Sequence, residues 1–135
     1  MSRFVSLLAL VLTVSLSPLH AQGASSGDVV GTWSGTYSGD ASGKYTMVFS
    51  RDAARKIGGT VEATADAGNG YTATFKSVVV DGTTVKMAYD DPESATVEVQ
   101  LEATVDGNSM TGIWKSVNTA AKSVVASGTF TGSKR

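Results

Sequence analysis

The chain has 135 residues, of which 41% are hydrophobic and 17% charged, and its 11 Lys and Arg nearly balance its 12 Asp and Glu. It contains no cysteine and a single histidine, His20, which excludes disulfides and thiol nucleophiles and argues against imidazole-based catalysis or an ordinary zinc or copper site. No basic stripe marks a surface for nucleic acid, so nucleic-acid binding is excluded as well.

The first residues have the composition of a secretory signal peptide. A positive charge at Arg3 precedes an apolar run over residues 4–16, and Ala21 offers a small residue to signal peptidase. The run is too short for a membrane span. We predict a cleaved signal peptide over residues 1–21, with cleavage after Gly23 as the alternative.

Cleavage would also remove His20, so the mature protein would have neither imidazole nor thiol. We expect a flexible segment over residues 22–29 and one β-barrel domain over residues 30–135. The predicted location is secreted or periplasmic. Disulfide-free exported domains are common in bacteria, which favours a bacterial source.

The mature sequence alternates polar and apolar residues between turn residues, and no helix-length stretch has apolar residues at three- and four-residue intervals. The alternation is clearest from Thr96 to Val105. This pattern predicts an all-β domain with eight strands, at Val30–Tyr37, Gly43–Ser50, Lys56–Ala65, Gly70–Val79, Thr83–Tyr89, Ala95–Val105, Ser109–Ser116 and Ser123–Thr131.

Four strands share a triplet of glycine, a β-branched residue and a large apolar residue. The alternation assigns the third residue of each triplet, every aromatic residue of the mature chain and Val124 to one inward face, while charged residues take the other face. Glycine lacks a Cβ, which permits the strong coiling that a closed barrel needs. The triplets are Gly31-Thr32-Trp33, Gly59-Thr60-Val61, Gly112-Ile113-Trp114 and Gly128-Thr129-Phe130.

The connections between strands alternate in character. Asp81-Gly82 and Asp106-Gly107 are strong signals for tight hairpins, whereas the links after the odd-numbered strands are longer and richer in Gly, Ser, Asn and Pro. We predict an antiparallel up-and-down meander barrel, since closure removes exposed sheet edges. It would have a tight base and a longer-looped rim. The alternative is a sandwich of two packed sheets.

The triplet Gly31-Thr32-Trp33, soon after a signal peptide and at the start of the first strand, resembles the Gly-Xaa-Trp motif of the calycin superfamily, the meander barrels that include lipocalins and avidins. The resemblance implies a lipocalin-like binding protein. In lipocalins a basic residue covers the motif tryptophan, and Lys134 or Arg135 could correspond to it. The chain lacks the lipocalin C-terminal helix, the Thr-Asp-Tyr motif and cysteines. The position of an avidin asparagine ligand holds Gly35, so biotin binding is not transferred.

A barrel of this size holds either side chains or one small ligand. Inward tyrosines near the rim, with alanines between them, favour a pocket for a small, largely apolar ligand. The candidate ligand-binding residues are Tyr37, Tyr71, Tyr89, Trp114 and Met87, while Trp33 is expected at the base. The alternative is that these phenols bond to the backbone or to one another and close a solid core.

The other functional classes have less support in the sequence. Asp90, Asp91 and Glu93 form an acidic cluster but lack the pattern of a calcium loop, so we expect no metal, no cofactor and no catalytic activity. The main alternative to ligand binding is an exported protein-interaction barrel with a solid core, such as a small protease inhibitor, that binds a protein partner.

Overall fold

A computed structural model describes residues 28–135 of the chain. The predicted signal peptide (1–21) and residues 22–27 of the predicted flexible segment lie outside the described residues. In this part of the chain, no helix is long and apolar enough to cross a membrane. The strands are β1 (Gly31–Gly39), β2 (Gly43–Arg51), β3 (Ile57–Ala65), β4 (Gly70–Thr74), β5 (Ser77–Asp81), β6 (Thr84–Asp90), β7 (Val97–Asp106), β8 (Ser109–Asn118) and β9 (Ser123–Lys134).

All of these strands belong to one antiparallel sheet with the order β4-β3-β2-β1-β9-β8-β7-β6-β5. Neighbours in the sheet are neighbours in the chain, except that β1 and β9 pair with each other. The prediction of an all-β, up-and-down meander is therefore confirmed. The described residues form a single curled sheet, not the alternative of two packed sheets.

The predicted count of eight strands is wrong, because the predicted strand Gly70–Val79 is two strands, β4 and β5. The chain changes partner between two consecutive residues. The Phe75 N–H donates to the Gly59 carbonyl in β3 at 2.9 Å, and the Lys76 N–H donates to the Ala88 carbonyl in β6 at 2.8 Å. The inward positions change phase at this point, from Tyr71 and Ala73 in β4 and Phe75 just after it to Val78 in β5. Three consecutive valines at 78–80 hide this change in the sequence, because an apolar residue is available to the inward face in either phase.

The partner change leaves a seam between β4 and β6, at which side chains replace a backbone ladder. The hydroxyls of Tyr71 and Tyr89 are hydrogen-bonded across it at 2.5 Å, and the Phe75 ring packs edge-on against Tyr89 at 5.9 Å. On the outer surface, Lys76 pairs with Asp90 at 2.9 Å. The curled sheet thus meets itself through side-chain contacts.

The triplets place their large residues in the core, as predicted. Trp33, Val61, Trp114 and Phe130 are each no more than 8% exposed. Three of the triplet glycines, Gly59, Gly112 and Gly128, leave room for rings from neighbouring strands, whereas Gly31 lies against the Lys134 side chain. A Cβ at Gly128 would lie 2.6 Å from Trp114 Nε1. Aromatic rings lying across inward glycines allow strongly coiled strands to stay packed.

Trp33 lies at the end of the sheet where both ends of the described chain meet. Its Nε1 donates to the Val29 carbonyl at 2.8 Å, and Val29 is only 1% exposed. Lys134 Nζ lies 5.7 Å from the centre of the Trp33 ring and donates to the Asp28 carbonyl at 2.8 Å. These contacts cover the tryptophan and seal this end of the core.

The inward assignment of Val124 is wrong, since this side chain is 55% exposed. The pairing of β8 with β9 shifts between Ser116 and Val117: Ser116 lies opposite Ala126, but Val117 lies opposite Val124. The extra residue, Val125, makes a β-bulge that reverses the alternation on its N-terminal side.

The connections lie at two ends of the curled sheet. We call the rim the end that carries residues 40–42, 66–69, 91–96 and 119–122, and the base the end that carries residues 52–56, 82–83 and 107–108. Hydrogen bonds join neighbouring rim loops, including the Asp66 N–H to the Ser42 carbonyl and the Thr119 N–H to the Thr96 carbonyl. Both predicted tight hairpins lie at the base, with Gly82 and Gly107 at positive φ.

Candidate functional site

A cavity of about 250 Å³ opens at the rim. A buried water needs only about 10–15 Å³, so the interior is not solid at this end. Side chains from both halves of the curled sheet line the cavity, and most of them are apolar. The apolar lining consists of Ala41, Met47, Val61, Ala63, Ala65, Val99, Leu101, Trp114, Ala126 and Phe130, and the more polar lining of Tyr37, Tyr45, Tyr71, Tyr89, Asp91 and Ser116.

Of the predicted ligand-binding residues, the structure brings Tyr37, Tyr71, Tyr89 and Trp114 together in the lining of this cavity. They come from β1, β4, β6 and β8. Tyr37, Tyr71 and Tyr89 lie near the rim ends of their strands, whereas Trp114 lies in the middle of β8 with its ring over Gly128, its partner in β9. Met87 does not line the cavity. It lies one inward position nearer the base on β6 and is 2% exposed within the core.

The aromatic side chains form two pairs. Tyr37 packs edge-on against Trp114, with ring centres 6.2 Å apart, and Trp114 Nε1 donates to the Ser38 carbonyl at 3.2 Å. Tyr71 and Tyr89 form the hydroxyl pair at the seam, with ring centres 6.0 Å apart. These contacts fix all four rings before any ligand is bound.

Burial raises the pKa of each tyrosine hydroxyl in the lining. The effect is strongest for Tyr89, where burial is followed by the influence of Tyr71. Burial also raises the pKa of Tyr71 and Tyr37, to which nearby carboxylates add. The phenols therefore stay neutral at physiological pH and act as hydrogen-bonding groups, not as bases.

Tyr45 lines the cavity but was predicted only as a core residue. It is 5% exposed, and its hydroxyl has no hydrogen-bond partner within residues 28–135. Burial raises its pKa to about 12. The ring lies in the wall between β2 and β9, edge-on to Phe130 at 5.7 Å. Tyr45 lies two residues after the rim-side start of β2, and from this position the sequence could have predicted that it lines the cavity.

Small side chains create the free volume. Ala63 lies in β3 and Ala126 in β9, three strands away in the sheet, and Ala41 and Ala65 lie close to the rim. Trp33, as expected, is not among the lining residues. The cavity thus exists because bulky residues fill the base while alanines occupy the positions nearer the rim.

The acidic cluster does not converge on one point. Asp90 pairs with Lys76, while Asp91 Oδ1 accepts the Glu93 N–H at 2.8 Å. Within residues 28–135, no group of three His, Cys, Asp or Glu residues is placed to hold a metal ion. Asp91 alone of the cluster lines the cavity.

Comparison with protein-family models, with curated proteins and with solved structures found no match to this chain.

Proposed function

We propose that this protein is a non-catalytic, lipocalin-like binding protein that takes one small, largely apolar ligand through the rim. The observation that carries the proposal is the cavity of about 250 Å³, lined mainly by apolar side chains with a few tyrosine hydroxyls. Pockets for small molecules commonly combine an apolar lining with a few fixed polar groups. We further propose that the protein is exported to the periplasm or the cell exterior, which the composition of residues 1–21 supports.

Three features support binding over catalysis. The residues after the predicted cleavage site contain no histidine and no cysteine. The tyrosine hydroxyls that line the cavity have raised pKa values, which makes them poor bases near neutral pH. Lys76 lies on the outer surface, away from the cavity, and forms ion pairs with Asp90 and Glu98.

A cavity-filling substitution tests the proposal. Binding of N-phenyl-1-naphthylamine, an uncharged aromatic probe, is followed by its fluorescence in the wild-type protein and in Ala63→Leu. Ala63 is 6% exposed and lines the cavity, so leucine occupies the ligand's volume. We expect saturable binding by the wild type and at least about a tenfold loss in the variant, which corresponds to about 1.4 kcal/mol.

The control is Ala53→Leu, which adds the same atoms to an exposed position at the base. Ala126→Leu fills the cavity from another strand, β9, and serves if Ala63→Leu fails to fold, as judged by circular dichroism. The alternative of a protein-interaction barrel predicts no saturable binding of small apolar probes. That result, or equal binding by the cavity-filling and control variants, would overturn the proposed function.

A further inference from the structure

The rim gathers carboxylates that lie far apart in the sequence. Three of the four rim loops contribute acidic residues, and β6 ends in another at the same level. The cations at this end are Lys122, in the fourth loop, Lys44, on the outer face of β2, and Lys76, whose ammonium pairs with Asp90. The rim carboxylates are Asp40, Asp66, Asp90, Asp91 and Glu93.

The base lacks this excess of carboxylates. Its five cations stand against four side-chain carboxylates, and Arg51 and Lys134 both contact Asp28 there. The nearly balanced total charge therefore hides a separation along the axis of the curled sheet. The cations at this end are Arg51, Arg55, Lys56, Lys134 and Arg135, and the carboxylates are Asp28, Asp52, Asp81 and Asp106.

Several rim carboxylates lie close to the cavity and lack a cationic partner. Asp91 is part of the lining. The pKa of Tyr37 is raised mainly by burial and next by the charge of Asp66. The pKa of Tyr71 is raised mainly by burial, and Asp91 and Glu93 add to this effect. In the described chain, ion pairs involve Asp28, Asp90 and Glu98 but not these three carboxylates. Their negative potential is therefore available to a ligand.

The aromatic lining suits the same kind of ligand. Tyrosine and tryptophan rings attract cations through their negative faces, and the attraction grows when water is excluded. Tyr37, Tyr71, Tyr89 and Trp114 line the cavity beneath the acidic rim. Tyr45 adds its ring to the lining, while its hydroxyl is buried against Gly132.

We propose that the cavity selects ligands that carry an organic ammonium group on an apolar body, with the charged end held at the rim and the apolar end inside. This selectivity rests on the proposed binding function and defines its ligand class. The rim carboxylates attract the charge from outside, and the aromatic rings stabilise it where water is displaced. An anionic ligand of the same shape would be repelled by the rim carboxylates and by the negative faces of the aromatic rings.

The test compares ligands that differ only at the head group. Octyltrimethylammonium, octanol and octanoate displace N-phenyl-1-naphthylamine from the wild-type protein. We expect the ammonium compound to bind about 3- to 30-fold more tightly than the alcohol, the range given by cation–π attraction at partly exposed to desolvated sites. Octanoate should bind most weakly. Raising the ionic strength from about 0.1 M to about 1 M, which shortens the screening length from about 10 Å to about 3 Å, should narrow the difference.

Two variants test whether the rim carboxylates cause the preference for the ammonium compound. Asp66→Asn and Asp91→Asn each remove one charge while keeping an oxygen for the bonds that Ser42 and the Glu93 N–H donate to these carboxylates. Each should reduce binding of the ammonium compound and leave octanol unchanged. Glu102→Gln, an exposed position on the outer face of β7, removes the same charge far from the rim and should change neither.

The outcomes separate the two proposals. Equal binding of all three ligands, or tighter binding of octanoate, would overturn the cation selectivity while leaving a general apolar site. Loss of ammonium binding in Glu102→Gln to the same extent as in the rim variants would show that the rim carboxylates are not responsible. No saturable binding of the naphthylamine probe itself would overturn the binding function.

Discussion

Removing the hydroxyl of Tyr45 should stabilise the protein, although the residue is buried and its ring is well packed. The side chain is 5% exposed, and its hydroxyl has no hydrogen-bond partner within residues 28–135. The hydroxyl lies against Gly132, while the ring contacts Phe130 edge-on. Tyr45→Phe keeps the ring contacts and removes only the unpaired polar group.

The size of the effect follows from two opposing terms. An unpaired buried hydroxyl destabilises the folded state by about 1–3 kcal/mol. Phenylalanine leaves a void the size of one oxygen and loses a few dispersion contacts, each of about 0.1–0.2 kcal/mol. We expect a net gain near the low end, about 1 kcal/mol in the free energy of unfolding. For a domain of this size that gain raises Tm by about 4–8 °C.

The same hydroxyl predicts a change at alkaline pH. Burial raises the pKa of Tyr45 from 10.0 to about 12, so between these values the unfolded chain loses a proton that the folded protein keeps. The ionisation of this group therefore leaves the free energy of unfolding unchanged below pH 10.0 and lowers it as the pH rises from there to about 12. The slope is about 1.4 kcal/mol per pH unit. Tyr45→Phe should therefore flatten the alkaline decline of stability.

Urea unfolding followed by tryptophan fluorescence, at neutral pH and through the alkaline range, measures both effects. The matched control is Tyr89→Phe, which removes a hydroxyl that is hydrogen-bonded to Tyr71 at 2.5 Å. It should lower stability by about 0.5–1.5 kcal/mol. If Tyr45→Phe lowered stability as much as Tyr89→Phe and left the alkaline decline unchanged, the Tyr45 hydroxyl would have a partner in solution and the reasoning would be refuted.

Further predictions concern glycines and the cation at the base. Gly128→Ala places a Cβ 2.6 Å from Trp114 Nε1, so it should lower stability by about 1–3 kcal/mol and shift the tryptophan emission; an unchanged spectrum would contradict this packing. Gly82→Ala should cost about 1–2 kcal/mol, because φ is +60° there although no atom lies within 4 Å. Gly58→Ala, in equally open space with ordinary φ, is the control and should be neutral or stabilising in thermal denaturation. Lys134→Met should lower stability by about 0.5–1 kcal/mol through loss of the cation–π contact, measured by urea unfolding.

Most of the fold could be predicted from local sequence, because each strand has one inward and one outward face. The alternation of Thr96–Val105 and the hairpin signals at Asp81-Gly82 and Asp106-Gly107 gave the strand directions and the tight turns. The division of the fourth predicted strand was not predictable from this pattern. An unbroken alternation would place Val79 inward, but Val79 is 58% exposed and the inward position after Phe75 is Val78. The run of three valines at 78–80 hides this change of phase, and with it the change of partner strand between β4 and β5. The bulge at Val125 was missed for a related reason, since an extra residue leaves no compositional mark.

The candidate site could also be predicted only in part from the sequence. Tyr37, Tyr71, Tyr89 and Trp114 were predicted to lie together, because an inward side chain near the rim end of its strand must face the same volume. Met87 also faces inward, but it packs in the core and does not line the cavity. It lies directly opposite Leu101, which does line the cavity. The difference therefore comes from how the individual side chains pack, which one sequence does not reveal.

The charge separation at the rim follows from topology and not from any local cluster. In a meander, every second connection returns to the same end, so residues 40–42, 66–69 and 91–96 become neighbours despite their distance in the chain. The broken strand preserves this order, since β5 continues toward the base after β4 leaves the rim. The base is filled by Trp33, Phe49 and Met110, among the largest fully buried side chains, and by both ends of the described chain. The cavity therefore opens at the rim, where the carboxylates lie.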